Sequence, residues 1–342
     1  MQIIDPTQFP DWDSFLLRNN NQSFFHTSAW ASVLKETYRY KPLYFAQIER
    51  DELKMLIPFM EINSILTGKR GVSLPFSDLC KPFSGGKDIL QETTSHVKDF
   101  GDRAGWRYAE WRDEDYFSDA VRPYKIHYTH DINLSRPETE LFSSLRDSNR
   151  RSIRKAIKEG VSIKISNALD AVKSFYRLNC ITRKRHGLPP QPYSFFSNIF
   201  KHIIQKGDGF VISAFHSGHI LAASVFFHFG SVAVYKYGAS DMKHQYLRPN
   251  NLIMWEAMKW FKSRGTVSLN LGRTELDNPG LLKYKRLWGA GEGFVKYYRY
   301  DFNKHIFIQS RPNTIRYVNK LFSRIPTGVL RFIGSISYKH MG

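Results

Sequence analysis

Apolar and polar positions along the chain switch repeatedly between a helical and an extended period. In residues 23–38 (SFFHTSAWASVLKETY), Trp30, Val33 and Leu34 recur at helical spacing, and Thr27 or Ser28 stands at an N-cap position. Two alternating runs follow, LYFAQIE and KMLIPFMEI, joined through Arg50-Asp51, which predicts a hairpin. Residues 71–86 are rich in Gly, Pro and Ser and read as a loop. A helix is expected at about 88–104 and a strand around Trp106–Trp111. The second half predicts a basic helix over 137–159, a short strand VSIKIS, and helices at about 168–186 and 193–206. A long hairpin runs through FVISAFHSG and HILAASVFFHFG into SVAVYKYGAS. After it come a helix NLIMWEAMKWFKSRG, a strand VSLNLGR, a short helix LLKYKRLWG and a strand FVKYYRYDF.

Two pieces correspond in order. KDFGDRAGWRYAEWR and KWFKSRGTVSLNLGR each read as a helix end, a glycine stop and a strand ending in arginine. Each is preceded by a hairpin and followed by a Tyr-rich strand, PYKIHYTHDINL in the first and FVKYYRYDF in the second. This is the signature of a duplicated α/β unit. The expected division is 1–135, 136–303 and a basic amphipathic tail over 304–342, with Ile315, Val318, Leu321, Phe322 and Ile325 on one stripe.

Composition narrows the classes. With 342 residues, 42% hydrophobic and 15% aromatic, the chain can fill one large or two medium cores, and its aromatic content argues against disorder. A net charge of +19 points to anionic partners: phosphorylated small molecules, nucleic acid or an acidic membrane surface. Two distant cysteines, Cys80 and Cys180, argue against a disulfide framework or structural zinc and favour a reducing compartment. The opening MQIIDPTQFPDW lacks the pattern of a signal peptide, and no run of about 18 apolar residues appears. A cytoplasmic location is therefore expected, with the inner membrane face as a candidate site of action. HExxH, GxSxG, GxxxxGK[ST] and Rossmann patterns are absent. Asp113, Glu114 and Asp115 read as a polar loop. His26, His127, His130, His216, His219 and His228 lie scattered, without metal-ligand spacing.

In order and spacing, FFHTSAW..VLK, LRDSNRRSIRKAIKEGVSI, VYKYGAS, PNNLIMWEAMKW and GLLKYKRLWGA resemble the FemAB family, over roughly residues 22–300. The likeness is nearest to FemAB-like proteins associated with envelope or exopolysaccharide production. It implies two tandem GNAT-like domains, each a mixed twisted sheet flanked by helices, with a cleft between them. It also implies transfer of an acyl group, usually an aminoacyl group carried on tRNA, to an amine of a cell-wall precursor. The expected acceptor is thus a phosphorylated or lipid-linked envelope precursor. No bound cofactor is expected, and DNA is not an expected partner. No long coiled-coil insertion is present, which weakens the case for tRNA and leaves acyl-CoA as the competing donor.

YKRLWG resembles the family's aromatic-Lys-x-x-aromatic-Gly segment, so Lys285 is the candidate catalytic cation, with Tyr284 as a wall and Trp288 as a substrate-binding residue. Acyl transfer passes through a tetrahedral oxyanion, which a fixed ammonium stabilises. Arg150, Arg154 and Lys158 fall at i, i+4 and i+8 on one helix face and suit phosphate. Arg185 and His186 end a helix where the dipole favours cations, and the resemblance places acceptor contacts there. Alternation along VYKYGAS predicts Tyr235 and Tyr237 on one side of the strand. Asn250 reads as an N-cap in Arg248-Pro249-Asn250-Asn251, which stands where GNAT enzymes have a glycine loop for CoA pyrophosphate. Its lack of glycine argues against acetyl-CoA. Arg273 closes a strand as a phosphate or carboxylate ligand or a partner of Glu275 or Asp277. Lys35 is carried over as an acceptor-phosphate contact. The competing class is a non-catalytic protein that binds nucleic acid or an anionic membrane.

Overall fold

The computed structural model describes residues 1–84, 86–113, 117, 121–309 and 322–342. Most of the amphipathic tail stripe and the acids Glu114 and Asp115 lie outside these residues.

The first half of the chain runs β1 (Gln2–Ile4), α1 (Trp12–Arg18), α2 (Ser28–Tyr38), β2 (Lys41–Glu49), β3 (Glu52–Ser64), β4 (Gly68–Val72), β5 (Phe83–Ser84), α3 (Lys87–Arg103), β6 (Tyr108–Asp113) and β7 (Lys125–Asn133). Thr27 caps α2, its hydroxyl accepting from the Trp30 amide at 3.3 Å. Arg39 then stops the helix in the left-handed region, at φ 60°. Arg50 and Asp51 both adopt positive φ, 49° and 65°, closing β2 on β3 with Glu49 opposite Glu52. Such a left-handed pair matches the twist of a two-residue hairpin even without Asn-Gly.

The second half runs α4 (Glu138–Ser144), α5 (Asp147–Lys158), β8 (Ser162–Ser166), α6 (Leu169–Arg185), α7 (Tyr193–Ile199), β9 (Gly209–His216), β10 (His219–Phe229), β11 (Val232–Ser240), α8 (Pro249–Ser263), β12 (Ser268–Asn270), β13 (Thr274–Glu275), α9 (Pro279–Arg286), β14 (Gly291–Asp301), β15 (Ile306–Ile308) and α10 (Thr327–Ser337). The single basic helix expected over 137–159 is two helices. Leu145 (ψ 143°) and Arg146 (ψ 145°) are extended between them, which buries Leu145 in the core below. Only α5 carries the cationic row. Its buried face is Asn149, Ile153 and Ala156, so the arginines are the solvent face of an amphipathic helix.

By its contacts the chain divides into two units. One holds Met1–His127 with the described residues of 294–312 and Ile336–Gly342; the other holds Tyr128–Gly293 with those of 313–335. In the first unit β1, β2, β3 and β4 are antiparallel neighbours, and β6 joins β4 in parallel through the α3 crossover. In the second, β8, β9, β10 and β11 are antiparallel neighbours, and β12 joins β11 in parallel through α8. Gly105 and Gly265 stop the two crossover helices at φ 71° and 79°. The duplicated grammar is thus visible in topology. One feature departs from chain order: the strand beside β6 is β14, whereas β7 lies beside β12. Each unit takes its closing Tyr-rich strand from the other half of the sequence.

The first core stacks Phe59 on Trp106 and sets it edge-on to Trp111. Gly71 and Gly101 leave room for these rings; a Cβ on Gly71 would sit 2.1 Å from the Trp106 ring. The second core lies between the sheet and α8, around Phe226, Trp255, Met258 and Phe261. Part of the tail packs on the body of the second unit. Leu330 of α10 is fully buried, and a Cβ on Gly334 would come within 1.9 Å of the Pro190 carbonyl oxygen. Gly334→Leu is therefore expected to lift α10 off residues 189–190, seen as faster proteolysis of 322–335 with the rest of the chain intact. Unchanged cleavage would show that this contact does not hold the helix.

Candidate functional site

The second unit contains a fork in its sheet. β11 and β12 pair only from Val232↔Ser268 to Val234↔Asn270, after which β11 continues to Ser240. The chain after β12 leans the other way, the Leu271 amide donating to the His130 carbonyl of β7 at 2.8 Å. The edge of β11 from Tyr235 onward therefore has no partner in β12. A β-bulge sits at the same place, where the register steps from Val225↔Tyr237 to Phe226↔Tyr235 across Lys236.

The bulge corrects one expectation. An extra residue reverses the alternation, so Tyr235 and Tyr237 face opposite sides. Tyr235 packs on Phe226, in the α8-side core, and its hydroxyl occupies the space a side chain on Gly238 would need. Tyr237 lies among Phe175, Phe195 and Phe196 of α6 and α7.

The loop in the fork is held by Lys285. Helix α9 starts at an Asn278 cap, whose side chain accepts from the Leu281 amide at 3.1 Å, with Pro279 at its first turn. The helix brings Lys285 inward: only 2% of the residue is exposed, and Nζ donates to the Gly272 carbonyl at 2.7 Å and the Arg273 carbonyl at 2.9 Å. Gly272 adopts φ 72°, a left-handed turn that glycine accepts without strain. Asn270 Oδ1 accepts the Gly272 amide at 2.8 Å, while Asn270 Nδ2 donates to Thr129 and Asp131. Tyr284 lies beside Tyr235 and edge-on to Trp288; burial, then the neighbouring Tyr235, raise its phenol well above the usual range.

Below the loop is a group that pattern reading missed. His130 is fully buried and its Nε2 lies 3.2 Å from Glu292, which also takes a two-pronged contact from Arg286 at 2.7 and 2.8 Å. Desolvation lowers the His130 pKa, and the nearby Lys285 charge lowers it further. The ring is thus neutral at pH 7, with its proton on Nε2 facing the carboxylate. A second missed group ties three helices: Asn251 of α8 donates to Asn149 of α5 at 3.0 Å, and Asn149 donates to the Leu287 carbonyl at 3.1 Å. The only signal in the sequence was polar residues within apolar elements, such as Asn270 in VSLNLGR.

Other candidates lie elsewhere. Trp288, expected as a substrate-binding residue, is 1% exposed and belongs to the core. Asn250 does not cap α8. The cap position is Arg248, left-handed at φ 57°, and Pro249 opens the helix; Asn250 instead reaches Gln245 at 3.5 Å. Arg150 pairs with Asp147 and donates to the Ser143 carbonyl, and Arg154 lies over the Phe142 ring. Arg185 and His186 contact each other at the exposed end of α6. Arg273 faces Glu275 at 3.8 Å. Lys35, in the first unit, bonds Asp5 at 2.8 Å and Thr7 at 2.9 Å. The structure therefore gathers Tyr235, Arg273, Tyr284 and Lys285 about the fork and leaves the rest dispersed. Among the described residues no cluster of His, Cys, Asp and Glu is arranged to hold a metal ion.

Residues 143–286 match the family described as Acetyltransferase (GNAT) domain. The lipid II:glycine glycyltransferase of Staphylococcus haemolyticus is 22% identical over a stretch covering 46% of this chain and 54% of that protein. This chain thus spans about half the length of the curated relatives it matches. The crystal structure of FemX superposes with a TM-score of 0.67 at 16% identity, over 89% of this chain and 97% of FemX. A tandem GNAT protein from the clavulanic acid biosynthesis pathway does so with 0.50 at 8% identity, over 80% and 88%. Together with the forked parallel pair and its repeat, these define a protein of tandem GNAT-like units. Residues 143–286 thus carry a GNAT-type domain, and the chain is similar over part of its length to lipid II:glycine glycyltransferases and in fold to FemX.

Proposed function

We propose that this chain transfers an acyl group, in the first place an aminoacyl group, to an amine of a cell-envelope or polysaccharide precursor linked to phosphate or lipid. The observation that carries this is a buried lysine at the fork of a GNAT-type unit, with its ammonium on two backbone carbonyls. The matching relatives, lipid II:glycine glycyltransferases, supply the acceptor class. In the reaction, the neutral amine attacks the donor's carbonyl carbon. The C–N bond forms, an oxyanion develops, the bond to the donor oxygen or sulfur then breaks, and the proton lost by the amine nitrogen passes to that leaving group. Lys285 stabilises the oxyanion by exchanging one of its carbonyl acceptors for it, inside a site already shielded from water. Arg273, with Arg185, His186 and Lys35, is assigned to phosphate groups of the acceptor, as the family resemblance implies.

For the donor, tRNA is preferred over CoA. A pyrophosphate at a helix N-terminus needs free backbone N–H groups and close approach. Here Pro249 removes one donor, and the Asn251 amide donates to the Arg248 carbonyl at 3.2 Å. The exposed cationic face of α5 suits an RNA backbone instead. Replacing Arg150 and Arg154 by Glu is expected to weaken tRNA binding and flatten its dependence on log salt concentration by about 1–2, as each lost phosphate contact contributes ~0.7–0.9. An unchanged slope in filter binding would remove α5 from the RNA interface. Contact with an anionic membrane belongs to the same proposal. No helix among the described residues is long and apolar enough to cross a bilayer, but Phe332 on α10 is 64% exposed in a basic segment.

The full chain is to be incubated with lipid- and nucleotide-linked envelope precursors, first with charged tRNA and separately with an acyl-CoA panel, and the products weighed by mass spectrometry. A gain of one aminoacyl residue on the acceptor is expected. Product with acyl-CoA alone would reassign the donor, and no product with either would sink the transferase reading.

A further inference from the structure

A cavity of about 480 Å³ opens between α6, α7 and α10, wholly within the second unit. From α6 it is lined by Lys173, Tyr176, Arg177 and Cys180, at i, i+3, i+4 and i+7 on one helix face; from α7 by Tyr193; and from α10 by Arg331. The α10 wall is built, because Leu330 is buried and Gly334 lies against the Pro190 carbonyl.

Its charge is one-sided. No Asp or Glu is among the described residues that line it. Lys173 is partly balanced by Asp170 at 3.0 Å, in an exposed pair of the kind that contributes little. Arg177 has no ion-pair partner among the described residues, and Arg331 turns toward Tyr176, its guanidinium carbon 5.5 Å from the ring centroid. Two arginines and a lysine around one concavity repel one another until an anion enters. Aromatic surface lies among these cations: Tyr176 of α6 and Tyr193 of α7 have ring centroids 5.1 Å apart, inclined by 59°. The volume falls within the ~300–1,000 Å³ usual for small-ligand sites.

We propose that this cavity binds a small organophosphate. Arg177 and Arg331 hold the phosphate, Lys173 guards the rim, and the organic body rests on Tyr193 and Tyr176. A phosphomonoester carries a charge of about −1.5 to −2 at pH 7, which matches the uncompensated cations better than a single carboxylate does. The ligand is a nucleotide-type ester or the headgroup of an anionic lipid, since both present this chemistry. The site is separate from the Lys285 fork and stands or falls independently of the transfer reaction.

Cys180 provides the readout. Its thiol is in the cavity wall, at 5% residue exposure, whereas Cys80, in the first unit, is 1% exposed and serves as reference. The full chain is treated with N-ethylmaleimide in low salt, and modification of each cysteine is followed by peptide mass spectrometry. The probes are adenosine 5′-monophosphate, dihexanoyl phosphatidic acid and inorganic phosphate, each titrated into the millimolar range. At least fivefold, saturable slowing at Cys180 with no change at Cys80 is expected from one of the two esters, and which one identifies the source. Arg177→Glu with Arg331→Glu is expected to abolish the slowing at unchanged circular dichroism; Arg331→Gln alone serves if the double reversal impairs folding. Equal protection by inorganic phosphate would overturn the organic part of the proposal. No protection by any probe, or protection that survives in the variants, would overturn the site.

Discussion

Lys285→Met is expected to lower the turnover of the proposed acyl transfer by roughly 10²–10³-fold, the cost of removing one preorganised donor to a tetrahedral oxyanion. The acceptor KM stays within about twofold, because an interaction made only in the transition state leaves ground-state binding alone. The substitution also strands the Gly272 and Arg273 carbonyls that Nζ satisfies. That costs about 1–3 kcal/mol, which a domain stable by ~5–15 kcal/mol survives. A thermal melt recorded beside the kinetics separates the two effects. If melting is little altered and turnover is unchanged, Lys285 is a structural strut and the proposed chemistry loses its cation. If turnover falls only in proportion to the folded fraction, the same conclusion follows.

The largest stability effect is expected in the first unit, at Glu110. Its carboxylate is 5% exposed and is gripped from two sides. Arg112 donates through Nε and Nη2 at 3.1 and 3.0 Å, and Arg299 through Nε and Nη2 at 3.2 and 2.6 Å. Arg299 comes from β14 and lies over the Tyr108 and Tyr124 rings, at 4.2 and 4.0 Å. Burial pushes the Glu110 pKa up, but the two guanidinium groups outweigh it and bring it down to about 2, from an ordinary value of 4.5. Glu110→Gln leaves two arginine charges in a poorly hydrated place and is expected to cost about 3–5 kcal/mol in urea unfolding at pH 7. A folded-state pKa below the unfolded one means that stability is present above pH 4.5 and is lost as pH falls toward 2. The gap between wild type and variant should therefore narrow over that window. A difference below 1 kcal/mol at pH 7, or one that does not shrink in acid, would show that the network does not clamp β14 to β6.

His26 acts in the same direction over a higher window. Burial holds its pKa near 3, below the ordinary 6.5, and its Nδ1 lies 2.8 Å from the Asn21 amide nitrogen. The fold must keep this ring neutral while the unfolded chain charges it, so stability falls as pH drops from 6.5 toward 3. His26→Gln should blunt that part of the acid dependence, leaving the Glu110 part in place.

How legible the site was in the sequence depended on how local its determinants are. Lys285 was singled out through a short segment, Tyr284–Gly289, whose order of aromatic, lysine and glycine is itself local. Its burial was not foreseeable, because the carbonyls that receive it lie 12 and 13 residues away on a loop whose path is set by β7. His130 and Glu292 are 162 residues apart and meet only in the folded second unit. The pairing of Tyr235 with Tyr237 failed for a related reason: one inserted residue inverts a period of two, and the bulge arises from register against β10 rather than from the composition of VYKYGAS. Asn250 failed more simply. Pro249 takes the first helical position and so moves the cap back to Arg248.

The sequence by itself determined the kinds and order of the elements: the Thr27 cap, the Arg50-Asp51 hairpin, the glycine stops at Gly105 and Gly265, and the duplicated α/β plan. These follow from steric limits and hydrogen bonds spanning a few residues, which a short window contains. Only the tertiary structure decided that β14 closes the sheet beside β6 and β7 the one beside β12, that the fork opens after Asn270, and that Lys285 turns inward while the α5 arginines stay in solvent. Those outcomes rest on backbone pairing and desolvation between residues far apart in the chain, where the choice of partner is a property of the whole fold.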